Sequence, residues 1–293
     1  MRAAAFSLKS SRFAVRLRRC RQAFSLVEVL VAVTLMSVIV LGLLAMFGQT
    51  QRAFRTGITQ VDVLEAGRSA MDLMARELAE AKPTSLPFST NFYAGWNNYF
   101  LPQALPGDSA SGGSQWRTNI QQNLLFTVRD NQTWTGIGYA VEYSANNYIG
   151  TLYRYETNAS ALNPDLVSRL AVNAFNAKAT RAQLLDGVVD LRVRAYDTAG
   201  RLISPYNIPP KAVNNVLAFN NIPGELSYNY YFVSNAAPAY VDLELGVLEA
   251  KTAERARNLS AAAQYNFLTN QAAHVQIFRQ RIPIRNVDPS VYQ

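Results

Sequence analysis

One uninterrupted apolar run, FSLVEVLVAVTLMSVIVLGLLAMF at Phe24–Phe47, constrains this chain more than any other feature. From Val29 to Gly48 there are 20 residues without a charged side chain. At ~1.5 Å per residue, a helix of that length spans ~30 Å, which is the thickness of the hydrocarbon core of a bilayer. One acid, Glu28, lies near the start of the run, where a carboxylate is costly and tends to mark function. The run therefore predicts a membrane-spanning helix and makes its acid a candidate functional residue.

The 23 residues before the run form a basic leader with seven lysine and arginine residues and no acid. Positively charged flanks stay on the cytoplasmic side of a membrane. We therefore expect a cytoplasmic N-terminus and a body on the other side. A secretory signal peptide would be cut after the apolar run at a small-residue site, but Ala45-Met46-Phe47-Gly48 matches such a site poorly.

The net charge of +8 belongs almost entirely to this leader, because the rest of the chain has 21 basic and 20 acidic residues. The body has no basic stripe with interleaved aromatic residues, so nucleic-acid binding is not expected. The single cysteine, Cys20, also lies in the leader, which leaves the body without disulfides or cysteine metal ligands. Arginines rather than an apolar segment precede Cys20, so it does not have the setting of a lipidated cysteine.

The segment from Ala23 to Leu30, AFSLVEVL, stands between the basic leader and the apolar helix. In this setting it resembles the processing site of type IV pilins and type II secretion pseudopilins. The resemblance implies that a prepilin peptidase cuts between Ala23 and Phe24 and that Phe24 becomes N-methylated. The family usually has glycine before the cut, where this chain has Ala23.

Glu28 has two interpretations when it is considered alone. It could be a hydrated acid close to the membrane interface, or a buried carboxylate with a charged partner. The family resemblance implies the second, in which the glutamate pairs with the terminal amine of a neighbouring subunit as helices stack into a filament. Such a pair offsets the cost of burying the charge.

The helical pattern continues beyond the apolar run. Apolar residues recur at spacings of three and four, with one interval of seven after Leu64: Phe54, Ile58, Val61, Leu64, Met71, Met74, Leu78 and Ala81. The helix is predicted to end at Lys82-Pro83, because the residue before a proline disfavours helical dihedral angles. We expect the helix to be weakest at four glycines, Gly42, Gly48, Gly57 and Gly67.

These boundaries divide the chain into a leader at 1–23 that is removed, a long helix at 24–82 and an extracytoplasmic head at 83–293. Residues 83–123 are rich in proline and glycine, which predicts a long irregular connection. Its aromatic residues would either be buried on the head or form a contact patch for a partner. Residues 204–238 are rich in proline and asparagine, with a tyrosine cluster and no predicted strand.

Alternating apolar residues predict six strands in the head: Leu124–Arg129, Gly138–Tyr143, Leu152–Glu156, Val189–Val193, Val241–Leu245 and His274–Arg285. A helix is predicted over about 249–270. The last strand should be at a sheet edge, since Pro283 cannot donate a ladder hydrogen bond. The order of elements predicts an α+β fold, with the long helix packed on an antiparallel sheet with long loops.

Few residues in the body suit catalysis. His274 is the only histidine, and no G-x-S-x-G sequence is present. No segment has the spacing of a metal site or a calcium loop. The acids Asp242 and Glu244 alternate with apolar residues and are expected on a solvated strand face, as is the polar side of Val189–Val193. We therefore predict no enzyme, no cofactor and no metal.

The sequence predicts a minor pilin-like subunit of a type II secretion pseudopilus or type IV pilus. Its expected partners are a prepilin peptidase, other pilins and the inner membrane. In size and order of elements the chain resembles J-type pseudopilins and W-type minor pilins. Two alternatives remain open. One is a single-pass anchored binding or sensory domain that keeps its leader, and the other is an anchored enzyme with the aromatic segment at 83–123 as its substrate cleft.

Overall fold

The computed structural model describes residues 25–84, 86–96, 101–103, 117–131, 133–143, 147–159, 180–209, 212, 214–220 and 227–292. Its longest element is helix α1, Leu26–Ala79, with 54 residues. This confirms the long helix predicted from the apolar pattern. The chain divides into two compact units between Arg55 and Thr56.

The first unit is the apolar part of α1. Every large apolar side chain from Leu26 to Phe47 is exposed. Two hydroxyl side chains occur in this stretch, and both bond to carbonyls of their own helix: Thr34 Oγ1 lies 2.9 Å from Val31 O, and Ser37 Oγ lies 2.8 Å from Val33 O. Such internal bonds let a hydroxyl reside in hydrocarbon without water.

The second unit is built on a nine-stranded sheet in which all neighbouring strands are antiparallel. The strands among the described residues are β1 (Thr90–Trp96), β2 (Leu101–Gln103), β3 (Arg117–Asn119), β4 (Gln122–Asp130), β5 (Thr133–Glu142), β6 (Gly150–Ala159), β7 (Thr180–Tyr196), β8 (Val216–Asn220), β9 (Tyr228–Val233), β10 (Tyr240–Leu248) and β11 (Val275–Pro283). The sheet order is β11-β10-β7-β6-β5-β4-β1-β9-β8, and β2 pairs only with β3. The predicted α+β class is confirmed.

One face of the sheet packs on the second half of α1. The helix contributes the buried residues Val63, Ala70, Met71, Met74, Ala75 and Leu78, which from Ala70 onwards follow at spacings of one and three. Alternate strand residues complete the same core, among them Val241, Leu243, Leu245 and Val247 of β10. Within the second unit, the predicted apolar face is confirmed for Met71, Met74 and Leu78. Ile58, Val61 and Leu64 of the same apolar pattern are exposed.

A largely buried charged cluster also joins α1 to the sheet. Glu77 of the helix accepts hydrogen bonds from Arg154 Nε and Nη2 of β6, with the shortest contact at 2.8 Å, and from the Tyr139 hydroxyl of β5. Burial raises the pKa of Tyr139, and the hydrogen bond to Glu77 raises it further. Tyr139 therefore stays a hydrogen-bond donor to the carboxylate. Removing one member of such a cluster leaves a buried charge without its partner, which is strongly destabilising.

The prediction of an irregular connection over 83–123 was wrong, because this segment contains β1, β2, β3 and the start of β4. In β1, Phe92 and Ala94 are 1% and 0% exposed, whereas Tyr93 between them is only half-buried. Phe88, just before β1, is 89% exposed. Strands β8 and β9 were also missed. All of these strands are short and follow residues typical of turns, which obscure an alternation of only a few residues.

The polar side of β7 was expected in solvent, but Asp190 and Arg192 are 0% and 1% exposed. The segment leading into β4 covers them. Asp190 Oδ1 accepts from Ile120 N at 2.9 Å, Arg192 donates to Thr118 O at 2.6 Å, and Ile120 O accepts from Leu191 N at 2.8 Å. The sheet therefore curls until the start of β4 meets the second half of β7.

The acids of β10 were likewise expected in solvent. Asp242 is partly exposed and forms a two-point contact with Arg281 at 2.6 and 2.9 Å. Glu244 is only 3% exposed and lies 2.6 Å from Arg279 Nε. The strand prediction is confirmed, and the expectation of a solvated Glu244 was wrong.

The predicted helix over 249–270 forms as two helices, α2 (Ala250–Arg257) and α3 (Ala261–Thr269). The buried side chain of Gln264 joins them to the sheet region. It donates to Ala256 O at 3.1 Å and to Asn147 Oδ1 at 2.9 Å, and it accepts from Tyr148 N at 2.8 Å. The predicted edge strand is confirmed, since β11 ends at Pro283 and is the outermost strand on its side.

Gly67 is a packing contact and not a weak point. A Cβ atom added at Gly67 would lie 2.3 Å from Phe278 Cε2 of β11, whereas a Cβ at Gly57 would meet nothing within 4 Å. The helix runs through both positions. The glycine at 67 therefore lets β11 approach the helix backbone.

These two glycines give a matched pair of substitutions. Gly57→Ala should raise the free energy of unfolding by up to ~1 kcal/mol, because alanine is the better helix former. Gly67→Ala should lower it by about 1 kcal/mol, because overpacking against Phe278 outweighs the same gain. Denaturant unfolding of the full chain in detergent measures both. An equal gain in the two variants would contradict the tight contact.

Candidate functional site at the start of the long helix

The residues predicted to carry function lie around the N-terminus of α1. Ala23 and Phe24, the predicted cleavage residues, lie outside the residues that the structure describes. Glu28 is in the first turn of the helix and is exposed. It is thus the only predicted site residue whose geometry can be given.

Ser25 and Glu28 cap the helix reciprocally. Ser25 Oγ accepts from Glu28 N at 3.2 Å, and Glu28 Oε2 accepts from Ser25 N at 3.3 Å. The first four N–H groups of a helix have no partner within it, and this capping box supplies partners at its N-terminus. This capping box was not predicted, although Ser-x-x-Glu directly before an apolar run is its signature in a sequence.

The cap fixes the direction of the Glu28 side chain. Because Oε2 bonds to the backbone of Ser25, the carboxylate points towards the N-terminus of α1, where the helix dipole favours negative charge. Oε1 makes no hydrogen bond to any residue that the structure describes. Glu28 can therefore accept a further donor without giving up its cap.

The helix that carries this site suits a membrane. Among the described residues, α1 is the one helix long and apolar enough to cross a bilayer, judged by length and composition, and none of its most apolar window is buried. Its side-chain hydroxyls in that region bond internally, as described above. From Phe24 to Gln51, the only charged side chain is that of the capped Glu28.

A family profile for the prokaryotic N-terminal methylation motif matches residues 18–44. The chain carries this methylation motif. The motif supports the pilin and pseudopilin family, processing by a prepilin peptidase and assembly with other pilins, and it points to a structural subunit rather than an enzyme. Together with the apolar helix, it fits a single-pass anchor in the inner membrane. No curated protein and no solved structure matches the chain.

A second candidate site is a polar cleft of about 740 Å³ in the head, beside α2 and α3. Its acids are Glu142 and Asp186, and both are held in ion pairs. Asp186 lies 2.5 and 2.8 Å from Arg257, and Glu142 lies 2.9 Å from Arg181. No described aromatic residue of 83–123 lines this cleft.

The electrostatics of Asp186 do not suit a general base. Partial burial works against ionisation of Asp186, but hydrogen bonds from Arg257, Thr151 and the Gly187 backbone outweigh it and lower the pKa of the carboxyl. A carboxylate with a lowered pKa is a weak base. His274 lies elsewhere and pairs with Glu249 at 3.0 Å. Within the described ranges, no three His, Cys, Asp or Glu residues are grouped as a metal site would require.

The Asp186–Arg257 pair predicts a pH-dependent stability. Since the folded pKa of Asp186 lies below its ordinary 3.8, the pair stabilises the fold above pH ~4, and this contribution is lost as the pH falls through the lowered pKa. Arg257→Gln should therefore lower the melting temperature at pH 7, and the difference from the unmodified chain should shrink towards pH 3. Thermal unfolding measures this difference.

Lys251→Gln on the same helix is the matched control, because it removes one positive charge at an exposed position. Its effect on the melting temperature should be small and should not depend on pH in this way. If the effect of Arg257→Gln stayed constant from pH 7 to pH 3, the ion pair would not be its cause.

Proposed function

We propose that this chain is a minor pilin-like subunit that a prepilin peptidase processes and that assembles with other pilins into a pseudopilus or pilus. The observation that carries the proposal is the methylation motif at residues 18–44, placed where a basic leader meets an exposed apolar helix. Cleavage between Ala23 and Phe24 removes residues 1–23 and leaves an N-methylated Phe24. The head at 83–293 is then held outside the cytoplasm by the helix at 24–82.

The exposed apolar surface of α1 supports a role in assembly. Sixteen large apolar side chains between Leu26 and Phe47 are at least 47% exposed. In water, that surface would be strongly unfavourable. Lipid covers it while the chain is an anchor, and the helices of neighbouring subunits cover it in a filament. One segment thus serves both states.

Glu28 joins neighbouring subunits in this proposal. Its carboxylate is directed to the end of the helix by the bond to Ser25, and Oε1 is available to a donor from outside the described residues. After cleavage, the Phe24 amine of an adjacent subunit is a cation that can donate a hydrogen bond to Glu28 Oε1. Pairing the two charges offsets the cost of taking each out of water.

The size of the head favours a minor component. A major subunit repeats along the whole fibre, so its head must pack against copies of itself on every side. Here the described head contains a nine-stranded sheet, α2, α3 and a polar cleft. This suits a subunit at the tip, as in the J-type pseudopilins of type II secretion and the W-type minor pilins of type IV pili, and the chain would serve one of these two machines.

The N-terminus tests the processing. Mass spectrometry of the chain from membranes of a host with a prepilin peptidase should show a protein that begins at N-methylated Phe24. Ala23→Leu should block the cut, because the site requires a small residue before the aromatic one, and Ala23→Gly should preserve it. An intact Met1 in the unmodified chain would contradict the proposal and favour an anchored binding or sensory domain.

Two substitutions separate the roles of Glu28. Glu28→Gln can keep the capping box, because glutamine also accepts from the Ser25 backbone, but it removes the charge. Glu28→Val removes both. If amine pairing is the role, both variants should insert into the membrane normally and reduce filament incorporation at least about tenfold, as expected when a charge pair worth more than ~1.4 kcal/mol is lost.

Incorporation is measured by the amount of the head in sheared filament fractions, with membrane-bound chain as the reference. If Glu28→Gln assembled normally and only Glu28→Val failed, the capping box and not the charge would be the contribution of Glu28. Normal assembly of both variants would remove Glu28 from the proposal.

A further inference from the structure

The two edges of the nine-stranded sheet are protected differently. Edge strand β11 carries the exposed charges of Arg279 and Arg281 and ends in Pro283. Charges and proline on an edge strand block pairing with another chain. The opposite edge strand, β8, reads Val-Leu-Ala-Phe-Asn and has neither. Within the part of the chain that the structure describes, it is the edge without protection against strand addition.

The backbone of β8 has a defined set of groups at its open edge. Asn215 O accepts from Val233 N at 2.9 Å, so residues 215, 217 and 219 direct their N–H and C=O groups towards β9. Because this direction alternates along a strand, Val216, Ala218 and Asn220 direct theirs outwards. Among the described residues, β8 is the last strand on this side and pairs only with β9.

The side chains of β8 also alternate. Val216 and Ala218 point into the core and are 0% and 7% exposed, whereas Leu217 and Phe219 lie on the opposite face and are 45% and 51% exposed. The Phe219 ring contacts Tyr231 edge-on, with 6.1 Å between ring centroids. The exposed face at this edge is therefore apolar and aromatic.

We propose that β8 pairs antiparallel with β8 of a second copy of this chain, with Ala218 opposite Ala218. The pattern of the strand is complementary to itself in this register. Val216 then faces Asn220 of the other copy, and the outward backbone groups form about six hydrogen bonds. Leu217 faces Phe219 of the other copy twice, so the exposed apolar side chains cover one another.

The membrane anchor makes such a small contact effective. A strand of five residues is only ~17 Å long and buries less surface than a stable soluble dimer needs. Two copies held in one membrane by α1 meet at a much higher effective concentration. This step rests on the anchorage in the proposed function, so we expect the pair in membranes and at most weakly in detergent.

Disulfide cross-linking tests the register. In the full chain with Cys20→Ser, Ala218→Cys places two cysteines opposite each other at a Cα–Cα distance of ~5.5 Å, which suits a disulfide. Oxidised membranes should contain a covalent dimer in several-fold greater yield than with Gln280→Cys, an exposed position on the other edge strand. Should Ala218→Cys fail to fold, co-expressed Val216→Cys and Asn220→Cys chains test the same register.

A charge on the edge tests the contact itself. Phe219→Lys added to Ala218→Cys should lower the dimer yield several-fold, whereas Gln280→Lys, the same charge on β11, should leave it unchanged. Equal yields with Ala218→Cys and Gln280→Cys, no effect of Phe219→Lys, or a cross-link to a different protein would each overturn the proposal. The cross-linking yields are measured on chain recovered in the membrane fraction, whether or not its leader has been removed. An uncut leader would therefore contradict the proposed function but not the pairing of β8.

Discussion

Burial of the second half of α1 against the sheet is the contact on which the head depends. Met74 and Leu78 are completely buried, and the core that they enter draws on strands from β1 to β11. The Glu77–Arg154–Tyr139 cluster fixes the helix in one register, since its bonds cannot form if the helix turns or slides. The second half of α1 must therefore pack in a protein core, whereas its first half must be stable in apolar surroundings.

The sequence predicts those parts of the fold that depend on local periodicity. The long helix, the central strands and the α+β class follow from spacings within a few residues. The burial of Asp190 does not, because its partner Ile120 is 70 residues away and meets it only when the sheet curls. Strands β1, β8 and β9 were missed because they are short and lie among residues typical of turns.

The candidate sites also combine features that a local sequence pattern predicts with features that depend on distant contacts. The methylation motif could be identified from the sequence because it is a local pattern of leader, small residue, aromatic residue and acid. The capping box was equally local and could have been predicted from Ser25 and Glu28. The sequence does not predict that both acids of the head cleft, Glu142 and Asp186, are held in ion pairs. Their ion pairs join β5 to β7 and β7 to α2, and only the folded chain brings those partners together.

The internal hydrogen bonds of Thr34 and Ser37 bear on the energetics of leaving the bilayer. A helix whose polar groups bond only to its own backbone makes no hydrogen bonds to its surroundings, whether these are lipid tails or other helices. Moving it from one to the other exchanges dispersion contacts of similar strength. The apolar surface then contributes little to the free energy of transfer from lipid to a filament. The electrostatics of the Glu28 carboxylate can therefore decide which of the two surroundings is favoured.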